Sequence, residues 1–369
     1  MPEKTELNKL YENLSGEIQL TKTAIDTIER TFQSIKDLLR SNLGSDFNII
    51  IFPQGSCSMG TTIKPLNSSD DFDVDLVVAL KNKYLEPSKL KTLIGEVLSS
   101  HKTYKKNLEE RGRAWCINYE NSHVDVVPML LADDGNLKVT NRLDDGSYEY
   151  ITSNPYGLTK WFKKRCYGKD YKNEDEPVTD DLKVYKNHRT LQKVIQILKY
   201  HRNFYIDKMG VSEKVKPISM LITVIASELY EDEEDVFEAL TNIVRKFPNY
   251  LESHKDINEN YFITNPVNTE ENFADKWLEY PERKNVFMDW VKAVSLDLIQ
   301  DANILDRIDY TDRLQPIFNE NINKAYNGIG EEQEKYQMEG NMSYNRVNGV
   351  NFGSDSVGKP FKRNTFWGR

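Results

Sequence analysis

The chain has 369 residues, enough for one large domain or two of ordinary size. Its 58 acidic residues outnumber its 49 basic ones, giving a formal charge of −9, which excludes a protein that coats itself with nucleic acid through a basic surface. Three separated cysteines without a C-x-x-C pair exclude a disulfide framework and a zinc ribbon. Apolar runs such as residues 220–226 are too short to cross a bilayer, and residues 1–20 lack a signal-peptide pattern, so we expect a cytoplasmic chain without membrane contact.

The first part of the chain alternates between helical and strand patterns. Apolar residues at helical spacing predict one or two long helices within residues 7–43. A β-rich run at 47–52 leads into a loop with glycines and a short helix. Further predicted elements are strands at 72–80, 113–119 and 124–131 and a helix at 87–100. These patterns predict a mixed α/β unit.

Beyond residue 150 the β signal fades. The predicted helices are 158–166, 190–204, 218–230, 236–246 and 285–299. Residues 340–369 hold five Gly and five Asn without periodicity, which is typical of a flexible tail. We therefore expect four parts: N-terminal helices at 1–44, an α/β core at 45–150, a helical domain at 151–330 and a C-terminal tail at 331–369.

The glycine loop carries the first chemical signal. Gly55-Ser56 and Gly60-Thr61 lie between a predicted strand and a predicted helix, where backbone N–H groups and a helix N-terminus can meet phosphate oxygens. Ser56 would add a hydroxyl donor. No Gly-Lys-Ser/Thr follows, so the loop is not a Walker loop, and an ordinary glycine turn is the alternative interpretation.

The second chemical signal is a predicted strand in which acidic residues alternate with apolar ones. Asp73 and Asp75 alternate with apolar residues in 72–78, so both carboxylates project from one face of the strand. Neighbouring carboxylates repel unless a cation lies between them, and hard oxygen ligands suit Mg²⁺ or Mn²⁺. An edge strand with a polar face is the alternative.

Asp125 is the third signal, because it is a single acid in the β-branched run 123–128. An isolated buried carboxylate is costly unless it is paired or binds metal. Three carboxylates can hold two metals roughly 3.5–4 Å apart, a clamp that activates an attacking hydroxyl and stabilises a leaving pyrophosphate. The order of loop, paired acids and lone acid favours this interpretation over a coincidence of polar strands.

Together these motifs resemble a known superfamily. Gly-Ser-x-x-x-Gly-Thr at 55–61, Asp-x-Asp-Leu-Val at 73–77 and His-Val-Asp-Val-Val-Pro at 123–128 are similar to the motifs of the DNA polymerase β nucleotidyltransferases. The resemblance is closest to the bacterial cyclic oligonucleotide synthases related to oligoadenylate synthase and cyclic GMP-AMP synthase (CD-NTases). It implies an α+β, bilobal fold, with a polymerase β-like core at 45–150 and a helical oligoadenylate synthase-like domain at 151–330.

The same resemblance implies roles for the motif residues. Asp73, Asp75 and Asp125 would be catalytic and would bind two Mg²⁺ ions, with Mn²⁺ as an alternative. Asp125 would also be the base that accepts the proton of the attacking hydroxyl. Gly55 and Ser56 would hold the donor triphosphate.

Three further nucleotide-binding residues follow from the resemblance, each with a plainer alternative. Lys199 and Ser219 match, in order and approximate spacing, a lysine and a serine that complete the triphosphate cradle in relatives. Lys199 would otherwise lie on a solvated helix face, and Ser219 would otherwise cap the helix after Pro217. Gln54 matches a glutamine near the nucleotide, and a turn residue is its alternative.

The function implied is synthesis of a cyclic di- or trinucleotide second messenger from ATP, GTP or both, with pyrophosphate release, in CBASS anti-phage defence. Stacking of a base on Tyr156, Tyr200 or Tyr205 is physically reasonable. An RNA- or protein-modifying nucleotidyltransferase and a catalytically inactive nucleotide-binding module are the alternatives. An inactive module would turn over no NTP with Mg²⁺ or Mn²⁺, and an RNA- or protein-modifying enzyme would need an added RNA or protein acceptor.

The expected partners are NTPs and proteins. The acidic composition and the lack of a zinc-binding cluster make activation by long nucleic acid an unexpected mechanism. Operon-encoded regulatory proteins are candidate partners. Ubiquitin-transfer-like proteins could conjugate the tail ending at Arg369, for which a disordered end is the alternative.

Overall fold

The computed structural model describes residues 4–66, 72–81, 83–119, 122–131, 136–171, 188–305, 307–338, 342–345, 349–352 and 359–360. Its backbone contacts divide the chain into two units, one of residues 18–299 and one that combines 1–17 with 300–369. The sequence predicted domain boundaries after residues 44, 150 and 330. The division of the chain into functional domains at these boundaries stays a prediction.

The larger unit contains the predicted α/β elements first and the helical elements second. Its elements, in chain order, are α2 (Lys22–Leu43), β1 (Asn48–Gln54), α3 (Gly55–Met59), β2 (Phe72–Lys81), α4 (Pro87–Ser100), α5 (Lys102–Asn107), β3 (Leu108–Glu110), β4 (Trp115–Asn118), β5 (Ser122–Leu131), β6 (Leu137–Arg142), β7 (Tyr148–Ser153), α6 (Pro155–Tyr167), α7 (Thr190–Lys208), α8 (Ser219–Leu229), α9 (Val236–Ser253), β8 (Thr264–Asn265), β9 (Asn268–Asn272), α10 (Lys276–Glu279) and α11 (Pro281–Ser295).

Local signals begin several of these helices. The Thr21 hydroxyl accepts a hydrogen bond from the Ala24 N–H at 3.2 Å and caps α2. Asn154 caps α6 in the same way, accepting from the Gly157 N–H at 2.8 Å. Pro87 and Pro155 occupy the first turns of α4 and α6, where a missing N–H costs nothing.

Seven strands form one mixed sheet. Its main path runs β1-β2-β5-β4-β3, and β6 joins β5 to β7. β2 and β5 are parallel, and the other pairs are antiparallel. A mixed sheet followed by a helical region confirms the predicted α+β class.

The two faces of the sheet carry different residues. On one face, α2 and α4 pack against a core that includes Leu76, Val78 and Val126. On the other, Val77, Val127 and their neighbours form a smaller cluster, against which Tyr156 of α6 packs. Because side chains alternate along a strand, Asp75 and Asp125 belong to this second face.

The helical part of the unit matches the predicted helices, with longer ends in places. α9 continues past the predicted end at 246, through Pro248, to Ser253, because Phe247, Tyr250 and Leu251 remain buried on its apolar face. The hairpin of β8 and β9 has no counterpart among the sequence predictions. None of the described helices combines the length and the apolar character that crossing a membrane requires.

In the smaller unit, α1 (Lys4–Glu17) packs against α14 (Glu320–Met338). The Asn13 amide donates to the Ala325 carbonyl at 3.0 Å, and the Tyr11 and Tyr310 hydroxyls bond each other. The unit also contains α12 (Asp301–Ile304), α13 (Arg307–Phe318), β10 (Met342–Asn345), β11 (Gly349–Phe352) and β12 (Lys359–Pro360).

The prediction that 340–369 lacks regular structure was wrong for its described part, since β10 pairs with both β11 and β12. These strands have only two to four residues each, too few for a clear periodic pattern. The remaining residues of the tail lie outside the described part of the chain, so the conjugation hypothesis stays a prediction.

Candidate active site

Three predicted residues lie in one row across three adjacent strands. Gln54 at the end of β1 pairs with Asp75 of β2, and Asp75 pairs with Asp125 of β5. Directly paired residues share a face of the sheet, and neighbouring strands lie about 4.8 Å apart. The register therefore places the carboxylates of Asp75 and Asp125, two of the three proposed metal ligands, side by side on one face of the sheet.

Asp73 occupies the β2 position opposite His123, but its side chain lies outside the described part of the structure. No group of three or more His, Cys, Asp or Glu side chains able to hold a metal is found among the described residues. The described part of the predicted ligand set is thus the pair Asp75 and Asp125. Adjacent carboxylate oxygens are a donor set that fits Mg²⁺ or Mn²⁺.

The glycine loop lies directly against this pair. Gly55, the first residue of α3, has a φ of 61°, and a Cβ built on it would lie 2.5 Å from Oδ2 of Asp75. Only glycine accommodates both the left-handed backbone and the close carboxylate. Gly60 also has a positive φ, 67°, and its N–H bonds the Ser56 carbonyl, so the turn after α3 closes on Ser56.

Ser56 is half-buried at this turn. Its hydroxyl accepts a hydrogen bond from the Thr62 hydroxyl at 3.2 Å, and its carbonyl also accepts from the Thr61 N–H at 3.0 Å. The next residue, Cys57, is buried. Burial and the nearby Asp75 carboxylate raise the pKa of the Cys57 thiol to about 11, so it stays a neutral packing group at physiological pH.

One face of α7 holds the loop by its backbone carbonyls. Lys199 Nζ donates to the Thr61 carbonyl at 2.8 Å. Gln192 and Gln196 donate to the carbonyls of Met59 and Thr62, at 2.7 and 3.0 Å. All three side chains are almost completely buried. The alternative interpretation, that Lys199 lies on a solvated helix face, is therefore wrong. Lys199 lies at the loop, as the resemblance implies, with its ammonium bonded to protein.

Ser219 is the first residue of α8 and is half-buried. Its hydroxyl accepts a hydrogen bond from Arg202 Nη1 at 3.0 Å, and the same nitrogen donates to the Pro217 carbonyl at 2.7 Å. Arg202 follows Lys199 by three positions on α7 and is only 5% exposed. The structure thus links Ser219 to α7 through an arginine.

The candidate aromatic platforms differ in access. Tyr200 is 1% exposed and has no ring face to offer a base. Tyr156 is half-buried and packs its ring edge-on against Phe52 beside the carboxylate face, and Tyr205 lies half-buried near the end of α7. The suggestion of Tyr200 as a stacking residue was therefore wrong, because its ring faces the helical core.

Two site residues have no place in the sequence predictions. Arg111, between β3 and β4, lies 3.3 and 3.4 Å from the two carboxylate oxygens of Asp125. Lys91 of α4 is buried and donates to three carbonyls of the same turn. The position of Lys91 within the apolar stretch of α4 could have predicted a buried lysine. Nothing in the sequence pairs Arg111 with Asp125.

The sequence is similar to a known domain family and to a curated relative. Residues 6–165 match the model of the Second Messenger Oligonucleotide or Dinucleotide Synthetase domain. The c-di-GMP synthase of Roseivirga ehrenbergii is 28% identical over 305 residues, which cover 78% of this chain and 77% of that protein.

Solved structures share the fold at lower identity. CdnG, a CD-NTase of Bradyrhizobium diazoefficiens solved with GTP, superposes with a TM-score of 0.67 at 17% identity, over 88% of this chain and 99% of that one. CdnC of Escherichia coli MS115-1, solved with HORMA-deltaN, gives a TM-score of 0.60 at 15% identity, over 85% and 96%.

Proposed function

We propose that this chain is a cyclic oligonucleotide synthase of the bacterial CD-NTase (cGAS/DncV-like nucleotidyltransferase) family and that it works by two-metal nucleotidyl transfer on the carboxylate row. The observation that carries the proposal is the register that sets Asp75 beside Asp125, with the glycine loop in contact with Asp75. Asp73, two positions before Asp75 on the same strand, is the proposed third ligand.

In the proposed reaction, a ribose hydroxyl of the acceptor nucleotide attacks the α-phosphorus of the donor. A new P–O bond forms, the bond to the β-phosphate breaks, and pyrophosphate leaves. Asp125 accepts the proton of the attacking hydroxyl. Bound Mg²⁺ would lower the pKa of that hydroxyl and offset charge on the leaving pyrophosphate. A second transfer closes the ring.

The glycine loop and α7 are the proposed triphosphate site. The Ser56 hydroxyl accepts from Thr62, so its own proton can be donated to a phosphate oxygen, and Lys199 supplies a cation at the same loop. An ammonium held by a neutral carbonyl can add a phosphate oxygen as a further acceptor, since it has three N–H donors. Gln54, Gly55 and Ser219 complete the proposed nucleotide-binding set.

GTP is the substrate we propose first, with ATP as the competitor to test. A c-di-GMP synthase is 28% identical to this chain, and a neighbour of the same fold is solved with GTP. Purified protein is incubated with each labelled NTP, singly and in pairs, with Mg²⁺ or Mn²⁺, and phosphatase-resistant products are identified by mass spectrometry. A cyclic product supports the proposal. Tailing of added RNA or labelling of an added protein instead would favour the alternative transferases.

The carboxylates are tested by D75N and D125N. Because metal ligation contributes several kcal/mol of transition-state stabilisation, each variant should lose on the order of 1,000-fold in rate. Asp289→Asn is the matched control, because Asp289 is 58% exposed on α11 and pairs with Lys292. Thermal unfolding of all three confirms that they fold. Wild-type rate in D75N or D125N would refute the assignment.

We further propose a role in CBASS defence in the cytoplasm, with activity set by a protein partner rather than by long nucleic acid. CdnC, of the same fold, is solved in complex with a HORMA protein. Stimulation of synthesis by products of the neighbouring genes, and none by double-stranded DNA or RNA, is the expected result. Stimulation by long nucleic acid alone would refute it.

A further inference from the structure

Arg111 lies against both oxygens of the proposed metal ligand Asp125. Its Nη1 lies 3.3 Å from Oδ1 and 3.4 Å from Oδ2, and the side chains are 40% and 26% exposed. The arginine thus places a positive charge on the β5 carboxylate, which lies beside the Asp75 carboxylate of β2. Without a cation, those carboxylates would repel each other.

The backbone of the turn that carries Arg111 is tied down by several hydrogen bonds. The Arg111 N–H donates to the Ala114 carbonyl at 2.9 Å. Lys91 Nζ donates to the carbonyls of Arg111, Gly112 and Ala114 at 2.8, 3.2 and 3.0 Å. Lys91 is 1% exposed, and this buried ammonium ties the whole turn to α4.

A second acceptor lies within reach of the guanidinium. Arg111 Nε is 3.9 Å from Oε2 of Glu109, whose side chain is 59% exposed. The guanidinium can therefore move toward Glu109 when Asp125 is taken by another cation. No movement of the turn is needed for this exchange.

We propose that Arg111 is a resident counter-cation of Asp125 that an incoming divalent ion has to displace, so that it sets the metal concentration at which the site fills. The inference rests on the proposed function, because it assumes that Asp125 is a metal ligand. A guanidinium and a divalent ion on the same carboxylate oxygens repel each other. Arg111 is thus a positioning residue, which acts on the metal site through Asp125.

The test measures Mn²⁺ binding to substrate-free protein by titration calorimetry, with electron paramagnetic resonance of free Mn²⁺ as a second readout. R111Q should bind Mn²⁺ about three- to tenfold more tightly than wild type, the range expected when a half-exposed ion pair no longer competes. R111K, which keeps the charge without the planar fork, should lie between the two.

Arg113→Gln is the matched control, because Arg113 lies on the same turn and is exposed. It removes the same unit of charge, and the neighbouring acid that Arg113 influences is Glu271 of β9. R113Q should change the Mn²⁺ dissociation constant by less than about twofold. If R111Q binds Mn²⁺ no more tightly than R113Q does, the inference is overturned.

The D125N variant separates this inference from the proposed function. If D125N binds Mn²⁺ like wild type, Asp125 is not a ligand, and both proposals are overturned. If D125N loses binding while R111Q and R113Q behave alike, the metal site stands and the role of Arg111 is refuted. A lower unfolding temperature of R111Q in EDTA, restored by Mn²⁺, would support the counter-cation role.

Discussion

Replacing Gly55 by alanine should separate the chemistry of the site from the stability of the fold. The new Cβ would lie 2.5 Å from Oδ2 of Asp75, so the carboxylate would have to retreat by about 0.9 Å to reach the 3.4 Å of an ordinary contact. A misplacement of about 1 Å in a catalytic group can cost on the order of 100-fold in rate. We therefore expect G55A to lose about that much in kcat/KM.

The matched control is Gly210→Ala. Gly210 has a φ of 60°, almost the 61° of Gly55, but a Cβ on it would meet nothing within 4 Å. The left-handed backbone should cost both variants about 1–2 kcal/mol, or about 2–8 °C in unfolding temperature for a domain of this size.

Steady-state kinetics with NTP and Mg²⁺, and thermal unfolding of both variants, complete the comparison. G55A and G210A should unfold at similarly lowered temperatures, and only G55A should lose activity. Equal kcat/KM in the two variants would refute the argument that Gly55 is required because of Asp75.

Two further predictions concern buried polar groups. Lys91→Met should lower the free energy of unfolding by on the order of 3 kcal/mol, because three carbonyls lose their donor. Lys89 is exposed on the same helix, so Lys89→Met is the control and should leave the free energy of unfolding almost unchanged. Denaturant titrations measure both. His201 accepts at Nδ1 from Trp290 Nε1–H at 3.2 Å, so its Nε2–H donates to Asp297 at 3.1 Å. Burial lowers the pKa of His201 below its ordinary 6.5. As the pH falls below 6.5, the imidazole therefore gains a proton in the unfolded chain but stays neutral in the folded one, and the free energy of unfolding decreases. The unfolding temperature should therefore fall between about pH 7 and pH 5, and less steeply in His201→Gln; identical slopes would contradict this assignment.

Short-range patterns were sufficient for much of the fold and part of the site. The alternation of acids and apolar residues in 72–78 predicted a strand with both carboxylates on one face, and the structure has β2 there with Asp75 on the second face of the sheet. Helical periodicity found α4, α7 and α8. These predictions succeeded because side-chain period and glycine conformation depend on neighbours in the chain.

Other features depend on residues that are distant in sequence. Periodicity ended α9 near residue 246, but tertiary burial of Phe247 and Leu251 extends it to Ser253. The hairpin of β8 and β9 and the strands of the tail are short, and short strands carry little periodic signal. The sequence offered Tyr200 as a stacking residue, but the packing of α7 buries its ring in the core.

By itself, the sequence determined the kinds of group in the proposed site: carboxylates on alternating strand positions and a glycine loop with Ser56, to which the family resemblance added a helix lysine. Only the tertiary structure decided which groups meet. The parallel register of β2 and β5 sets Asp75 beside Asp125, α7 brings Lys199 to the carbonyl of Thr61, and the turn held by Lys91 brings Arg111 to Asp125. Register and helix docking come from burial of apolar surface across the whole unit, which no local pattern records.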